Sequence, residues 1–392
     1  MLYVGIDVAK DKHDCCILSE NGEQLVAFTF TNSLEGFSSL IESISSFSCC
    51  NDLSDVRIGL ESTGHYSINI ANFLLQKRLC VKIFNPLAVQ LARKAQSLRK
   101  TKTDKSDSKF LAQILFSDDS KPYSLPLYPI SELKTLTRNR HRLISMRSGL
   151  KVSISRIITI LFPELPSVVW SVNQKSCYSL LLEFPTAQDI ANAHLTKLTN
   201  ILSVNSHGKY GREKAIEIRD LAIDSIGLES RATGFELQQN IRLIQNLQEE
   251  IDILDNEIKS IMIQLDSPIL TVPGIGYILG AIILAEIGAI ENFTTPAKML
   301  AFAGLEPSTY ESGKFTASKT PMVKRGSGYL RWALLQAARL VAYRDITFGT
   351  YASKKKQEGK HYFVVQSHVA KKLVRVLFKL LKTNQPFIPQ AV

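Results

Sequence analysis

The sequence predicts an α/β domain at the N-terminus, followed by a mostly helical remainder. Two patterns predict this fold class: short apolar runs separated by turn residues within the first 90 residues, and apolar residues at helical spacing through most of the rest. With 392 residues, the chain is long enough for two or three domains with buried cores.

The N-terminal elements follow from the apolar runs. LYVGIDV, CCIL and LVAFTF, within residues 2–30, are separated by charged or Asn-Gly breakers and predict a three-strand meander. Helical spacing follows from Leu34 to Ile44, and a fourth strand, VRIGLE, ends at Glu61. A helix over about 67–78, the strand CVKIFN and helices from about 87 and 105 complete the order of the ribonuclease H-like nuclease fold.

The middle of the chain predicts long helices. Residues 131–160 predict a basic helix that ends at Phe162-Pro163, and residues 163–234 predict irregular, mostly helical structure. A heptad pattern then runs to Pro268, with Leu237, Ile244, Ile251, Ile258 and Leu265 at a and Asn240, Leu247, Leu254 and Ile261 at d. Four heptads favour a coiled coil with another helix, such as the same segment of a second subunit. The alternative is an amphipathic helix packed on its own domain.

The C-terminal part predicts a compact helical region and a basic tail. The charge-free stretch 269–285 is too short and too interrupted to cross a bilayer, so we expect a buried helix and turn. Thr295-Pro296 predicts a helix start and Gly304 its end. Another helix is predicted over about 327–343, and residues 354–383 predict a basic amphipathic tail.

The net charge of +11, from 47 Lys and Arg against 36 Asp and Glu, favours a polyanionic partner. Nucleic acid is the first candidate and an acidic membrane surface the second. The six cysteines lack the C-x-x-C spacing of a zinc site and are interpreted as reduced thiols. Charges come too early in the N-terminal segment for a signal peptide, so we expect a cytoplasmic protein that does not use a membrane.

Four carboxylates fall on elements that the predicted sheet brings together. Asp7 lies in the apolar first strand, where an acid is costly unless it binds something. Glu61 ends the fourth strand, and Asp104 and Asp107 share one face of a helix. Because converging carboxylates repel one another, we expect a divalent cation between them, and hard oxygen ligands suit Mg²⁺. Two such ions can activate the attacking oxygen and stabilise the leaving oxygen in phosphodiester cleavage.

Basic residues surround these acids. Residues 77–109 contain ten Lys or Arg, and Asp104 and Asp107 are the only acids among them. The run is interpreted as a phosphate track, and the alternative is a solvated surface. The candidate nucleic-acid contacts along the chain are Arg93, Lys94, Arg99, Lys100, Lys102, Arg138, Arg140, Arg142, Arg147, Lys324, Arg325 and Arg331.

At this point the sequence resembles the DEDD transposases of the insertion-sequence 110 family. The resembling segments follow the family order and are GIDVAKDKH (5–13), GLESTGHY (59–66), KTDKSDSKFLAQ (102–113), TVPGIG (271–276), AFAGLEPSTYESGKF (301–315) and KRGSGYLRWALLQAA (324–338). The resemblance implies a RuvC-like DEDD catalytic domain over 1–160 and a helical linker over 161–267 with a coiled coil at 235–266. It further implies a transposase domain over 268–350, followed by the basic tail, 351–392.

The resemblance also implies the chemistry. Asp7, Glu61, Asp104 and Asp107 correspond to the metal ligands, and Ser312 is the best match to the family's serine nucleophile. The family's recombinases are guided by a structured noncoding RNA that pairs with donor and target DNA. A composite site is expected, in which the N-terminal metals activate the phosphate that Ser312 attacks. From the residues alone, a serine before glycine is usually a turn residue, and Ser308 and Ser318 are rival serines.

Two further features bear on the partners. The VPGIG turn resembles a helix-hairpin-helix, whose backbone amides can hold a phosphate; the alternative is a tight interhelical turn. No zinc finger, basic zipper or homeodomain pattern is present, which fits recognition by base pairing. Strand exchange needs more than one active site, so we expect a dimer or tetramer, nucleoid-associated in a prokaryotic cytoplasm.

The sequence thus predicts a transposase or site-specific recombinase that mobilises an insertion sequence. Three alternatives remain: a RuvC-like junction nuclease that uses water and does not need Ser312, a DNA invertase of the same family, and a non-catalytic nucleic-acid binder. Protein covalently bound to DNA would separate the recombinases from the water-using nuclease and from the non-catalytic binder.

Overall fold

A computed structural model describes residues 1–47, 53–62, 64–96, 104–117, 128–308, 311–312, 315–316 and 321–389. The chain forms two compact units. The first comprises residues 1–126 with the short segment 289–294, and the second comprises residues 127–288 and 295–392. Within the described ranges no helix is both long and apolar enough to cross a membrane.

The first unit is built on a five-stranded mixed sheet. Its strands are β1 (Leu2–Val8), β2 (Lys12–Leu18), β3 (Gln24–Thr31), β4 (Val56–Glu61) and β5 (Cys80–Phe84). The order across the sheet is β3-β2-β1-β4-β5. Strands β1, β2 and β3 are antiparallel neighbours, whereas β1, β4 and β5 run parallel. The predicted meander and the predicted neighbouring of the first and fourth strands are both confirmed.

Four helices accompany this sheet: α1 (Leu34–Phe47), α2 (Ser67–Gln76), α3 (Pro86–Gln96) and α4 (Asp104–Ser117). Alternate strand residues such as Ile6 and Ile58 share a buried core with Leu40 of α1 and Ile70 of α2. The residues between them on the strands, including Gly5, face α4. This division into two faces follows from the period of two in a β-strand.

Two glycines let α4 lie directly against the sheet. A Cβ atom at Gly5 would lie 2.0 Å from the carbonyl oxygen of Ser108, and one at Gly59 would lie 2.7 Å from the ring of Phe84. Gly5 and Gly59 are paired neighbours on β1 and β4. A side chain at Gly5 would therefore push α4 away from the sheet, because the obstructing atom is backbone that cannot rotate aside.

The second unit begins with a helical region. Its helices up to residue 265 are α5 (Tyr128–Leu161), α6 (Leu165–Val168), α7 (Lys175–Glu183), α8 (Ala187–Asn192), α9 (Leu195–Asn205), α10 (Arg212–Ile223) and α11 (Arg231–Leu265). The basic helix predicted over 131–160 is α5, and the helical interpretation of 163–234 is confirmed. Residues from α5, α7, α9, α10 and α11 share one hydrophobic core.

Helix α11 carries the heptads, and it packs on α5 of the same chain. Arg140 contacts Asp255, Arg147 contacts Gln248, and Arg156 contacts Glu236. Because the α5 numbers rise as the α11 numbers fall, the two helices are antiparallel. These contacts agree with the interpretation that the heptad helix packs within its own domain. Pairing of this helix with a second subunit stays a prediction.

The heptad positions occupy this intrachain seam. Leu237, Ile244, Ile251 and Ile258, all a positions, are buried. The polar d residue Asn240 donates a hydrogen bond to the Ser153 hydroxyl of α5 at 3.2 Å. A polar pair at one point of an apolar seam favours a single alignment of the two helices.

The last third contains α12 (Tyr277–Ile287), α13 (Pro296–Phe302), β6 (Glu311–Ser312), β7 (Phe315–Thr316), α14 (Gly328–Arg344), α15 (Ile346–Gln357) and α16 (Tyr362–Thr383). Residues 280–287 of α12 are buried throughout, as expected for the charge-free stretch. The Thr295 hydroxyl accepts a hydrogen bond from the Lys298 backbone, which confirms the predicted helix start.

Candidate functional site

Asp7 and Glu61 lie at the same end of two parallel strands. Ile6 and Leu60 are paired across β1 and β4, so the next residue on each strand is a carboxylate. Both acids are two residues beyond the paired glycines, and alternation places them on the face that α4 covers. The sequence expectation that these two acids are neighbours in the sheet agrees with this geometry.

Helix α4 supplies the next carboxylate. Asp107 is 5% exposed, and its Oδ1 lies 2.8 Å from Nη1 of Arg93 on α3. The Arg93 guanidinium also lies over the Phe110 ring, 5.3 Å from its centroid. Arg93, predicted as a phosphate contact, therefore neutralises Asp107 in this structure. Asp104 begins α4 one turn before Asp107, but its side chain lies outside the described part of the chain.

A fifth acid, Asp14, was missed in the sequence. It is the cross-strand partner of Asp7 and is 9% exposed. Its Oδ1 accepts a hydrogen bond from the Thr29 hydroxyl at 2.7 Å. The available signal was an acid in the apolar second strand of a hairpin, since directly opposed residues share one face of a sheet.

These acids have the right chemistry for a hard divalent cation, because all of their donor atoms are carboxylate oxygens. Among the described side chains, no three His, Cys, Asp or Glu groups come close enough together to hold one metal ion. Asp104, the fourth predicted ligand, is not among the side chains searched.

The second unit contains the segment with the predicted nucleophile. β6 and β7 form a short antiparallel hairpin in which Ser312 is opposite Phe315. The Ser312 side chain and the whole of Ser318 lie outside the described residues, whereas Ser308 is half-buried. The Ser308 N–H donates a hydrogen bond to the Pro321 carbonyl at 2.8 Å. The chain segments before and after the hairpin are therefore hydrogen-bonded to each other.

Two glycines and one arginine fix the base of this hairpin. Gly304 and Gly326 have φ values of +66° and +121°, where L side chains are strained. A Cβ at Gly326 would also lie 2.1 Å from the Phe302 carbonyl oxygen. The Arg331 guanidinium donates to the carbonyls of Ala303 and Lys324, at 3.3 and 3.1 Å. The candidate nucleic-acid residue Arg331 therefore joins the two ends of the segment.

A buried carboxylate on α12 connects this base to α5. Glu286 is 3% exposed and accepts two hydrogen bonds from Arg138, at 2.7 and 3.1 Å. It also accepts one at 2.7 Å from Ser327, whose hydroxyl caps α14. Burial alone would raise the pKa of Glu286, but the hydrogen bonds from Arg138 and Ser327 bring it below its usual range, so the group is ionised. Sequence reasoning did not single out Glu286.

The other candidate nucleic-acid residues divide into three groups. Arg138, Arg140 and Arg147 have partners within the chain, in Glu286, Asp255 and Gln248. Lys94, Arg142, Lys324 and Arg325 are exposed. Arg99, Lys100 and Lys102 lie outside the described residues.

The VPGIG turn lines a cleft of about 520 Å³ beside α11, α12 and α14. Gly274 has a φ of +103°, and a Cβ there would lie 2.9 Å from the Leu340 carbonyl carbon. Gly276 precedes the first residue of α12. Lys259 and Arg344, both exposed, line the same cleft. Asp255 lines it as well, and its charge is balanced by Arg140.

We expect Glu286→Gln to destabilise the protein by roughly 2–3 kcal/mol, because it leaves the half-buried Arg138 without its counter-charge. Urea unfolding measures this loss. The folded-state pKa of Glu286 is below the unfolded one, so its contribution is complete above about pH 4.3 and disappears as the pH falls through the folded value. The variant should lack that acid-dependent loss. The exposed Glu249→Gln is the control, and equal stability of the two variants would contradict the prediction.

Comparison with known proteins gives two family matches. A transposase family model with DEDD residues matches residues 4–163, and the model of the IS116/IS110/IS902 transposase family matches residues 266–352. Both were anticipated by the motifs in the sequence.

Curated relatives match nearly the whole chain. A 44.8 kDa protein of insertion element IS116 from Streptomyces clavuligerus is 24% identical over 99% of this chain and 96% of its own length. The pilin gene-inverting protein of Moraxella bovis is 24% identical over 98% of this chain and 97% of its own length. A 42 kDa protein of insertion element IS900 from Mycobacterium paratuberculosis is 23% identical over 99% and 97%. The chain belongs to the IS110 family of DEDD transposases.

Proposed function

We propose that this protein cuts and rejoins DNA strands to mobilise an insertion sequence, using the N-terminal carboxylates and a serine nucleophile. Family membership supports a DNA recombination enzyme in general. The finer proposal rests on the position of Asp7 and Glu61, each one residue beyond the paired Ile6 and Leu60 of β1 and β4. The helix that carries Asp104 and Asp107 covers the same face of the sheet.

The sheet topology supports a RuvC-like, ribonuclease H-like assignment for the first unit. Three antiparallel strands followed by two parallel ones, in the order β3-β2-β1-β4-β5, is the arrangement expected of that fold. It places the central strand β1, with Asp7, next to β4, with Glu61.

The residues proposed to hold Mg²⁺ are Asp7, Glu61, Asp104 and Asp107. When bound, the metal would supply charge stabilisation for an in-line phosphodiester displacement. The chain itself provides the rigid placement, since the acids lie on two central strands and a helix packed tightly against them. Arg93 balances the charge of Asp107 and orients its carboxylate.

We expect Asp7→Asn and Glu61→Gln to lower recombination by at least about 10²–10³-fold, because each removes a charge but keeps the shape of the side chain. Asp104→Asn should behave similarly, and Asp107→Asn less severely. A plasmid recombination assay measures the product, with the exposed Asp55→Asn as the matched control. Full activity of the Asp7, Glu61 or Asp104 variant would rule out the carboxylate site.

We propose Ser312 as the nucleophile because rejoining strands without an external energy source requires the phosphodiester energy to be kept. A serine–phosphate ester keeps that energy, whereas attack by water loses it. The hairpin that carries Ser312 rests on a base fixed by Gly304, Gly326 and Arg331. A rigid base holds a nucleophile with little loss of entropy on reaction.

Ser312→Ala should bind DNA normally but form neither covalent adduct nor product. Peptide mass spectrometry of trapped wild-type complexes should locate the adduct on the 310–314 peptide. Ser308→Ala is the matched control and should remain active. An adduct on Ser308 or Ser318 would relocate the nucleophile, and normal recombination by Ser312→Ala would favour a water-using RuvC-like nuclease.

A DNA invertase is the second candidate function. The observation in its favour is the pilin gene-inverting relative, matched over 98% of this chain. Both uses require the same adduct, whereas a non-catalytic nucleic-acid binder would form none. Substrates with directly and with inversely repeated sites separate excision from inversion.

We propose that the working particle contains two or four chains and a structured noncoding RNA that pairs with donor and target DNA. Its support is the family resemblance and the basic composition. Protein purified from its native locus should carry one discrete RNA and have a mass of at least two chains by light scattering. A monomer without specific RNA would contradict both parts.

A further inference from the structure

Helix α16 presents a row of basic side chains on one side. Lys371, Arg375, Lys379 and Lys382 follow at intervals of four, four and three residues, which places all of them within one narrow arc of a helix. We call these four residues the basic stripe. Lys371 is half-buried, and the other three are exposed. The stripe extends roughly 16 Å along the helix at 1.5 Å per residue.

The opposite side of α16 is part of the protein core. Val369, Leu373, Leu377 and Leu380 are buried. A basic amphipathic helix can bind a lipid surface, but it must insert its apolar face to do so. Here the apolar face over residues 369–380 is already packed against the rest of the second unit, so this part of the helix offers a partner its charged side.

Within the described part of the chain, none of the four stripe residues forms an ion pair with an acid. Residues 359–392 contain six Lys or Arg and no Asp or Glu. The nearest acid along the chain, Glu358, is paired with Lys355 at 2.7 Å and with Lys360 at 3.6 Å. The surface beyond these pairs therefore keeps a positive potential.

More cations adjoin the N-terminal end of the stripe. Lys372 lies 5.0 Å from the Tyr351 ring centroid, and Lys355 lies 5.7 Å from the same centroid. Burial lowers the pKa of His368, and the charges of Lys371, Lys360 and Lys355 lower it further. Glu358 partly balances Lys355 and Lys360, whereas Lys372 adds positive charge at this end of the stripe, which a polyanion would offset.

We propose that the basic stripe binds the phosphate backbone of duplex DNA. Duplex DNA carries one charge per about 1.7 Å of its axis, so the length of the stripe matches several phosphates. Lys and Arg side chains commonly contact phosphates, and such contacts position DNA without depending on its sequence. The choice of DNA over another polyanion rests on the proposed recombination function. The family matches end at residue 352, so nothing in them assigns a role to this helix.

The test measures binding of an unrelated 30-base-pair duplex to the full chain as a function of salt. Arg375→Gln, Lys379→Gln and Lys382→Gln together should weaken binding at least about 10-fold at low salt. They should also reduce the slope of log affinity against log salt by about 2–3, at about 0.9 per lost phosphate contact. The matched control replaces three exposed basic side chains elsewhere, by Lys175→Gln, Lys209→Gln and Arg212→Gln. This control should retain most of the slope of log affinity against log salt. Lys379→Arg with Lys382→Arg keeps the charge and should bind like the wild type.

Equal losses in the stripe variant and the charge control would overturn the proposal, because they would reflect net charge alone. A loss confined to structured RNA would overturn the assignment to duplex DNA. If the wild-type protein binds duplex DNA through the stripe but never recombines DNA, the proposed function is wrong and the proposed role of the stripe still holds.

Discussion

The placement of the candidate catalytic acids depends on how closely one helix approaches the central sheet. Gly5 lets the backbone of α4 lie against the backbone of β1, and Gly59 leaves room on β4 for the side chains of Phe84 and Leu115. The same two strands carry Asp7 and Glu61 two residues further on, and the helix carries Asp107. A bulkier residue at either glycine would act on the geometry of the acids without touching any of them, because packed interiors transmit displacement.

In the second unit, a buried charged residue fixes the relative position of neighbouring elements, a role that glycines have in the first unit. Glu286 holds Arg138 of α5 and Ser327 at the start of α14. A buried ion pair contributes little net stability, but it permits only one arrangement of the elements that it joins. The described residues at the two ends of the segment that contains Ser312, including Gly304 and Gly326, lie close to this junction.

Local patterns in the sequence predicted most of the elements, because strand alternation, heptads and caps are properties of short segments. They located β1, β4, α11 and the start of α13 within a few residues. Partners distant in the chain could not be predicted in the same way. Arg138 lies in a basic segment that predicts a phosphate contact, but it forms an ion pair with Glu286, 148 residues away in the sequence. Asp14 was missed because its importance comes only from the residue opposite it.

The antiparallel pairing of α5 and α11 has a consequence for how this chain can change its length. Three polar contacts follow one another along the two helices. They are Arg140 with Asp255, Arg147 with Gln248, and Ser153 with Asn240. A seven-residue deletion in one helix would keep the apolar face of that helix, but it would displace every polar contact on the far side of the deletion. Two segments about a hundred residues apart are therefore bound to gain or lose turns together, and lineages of this protein should show paired rather than single length changes in them.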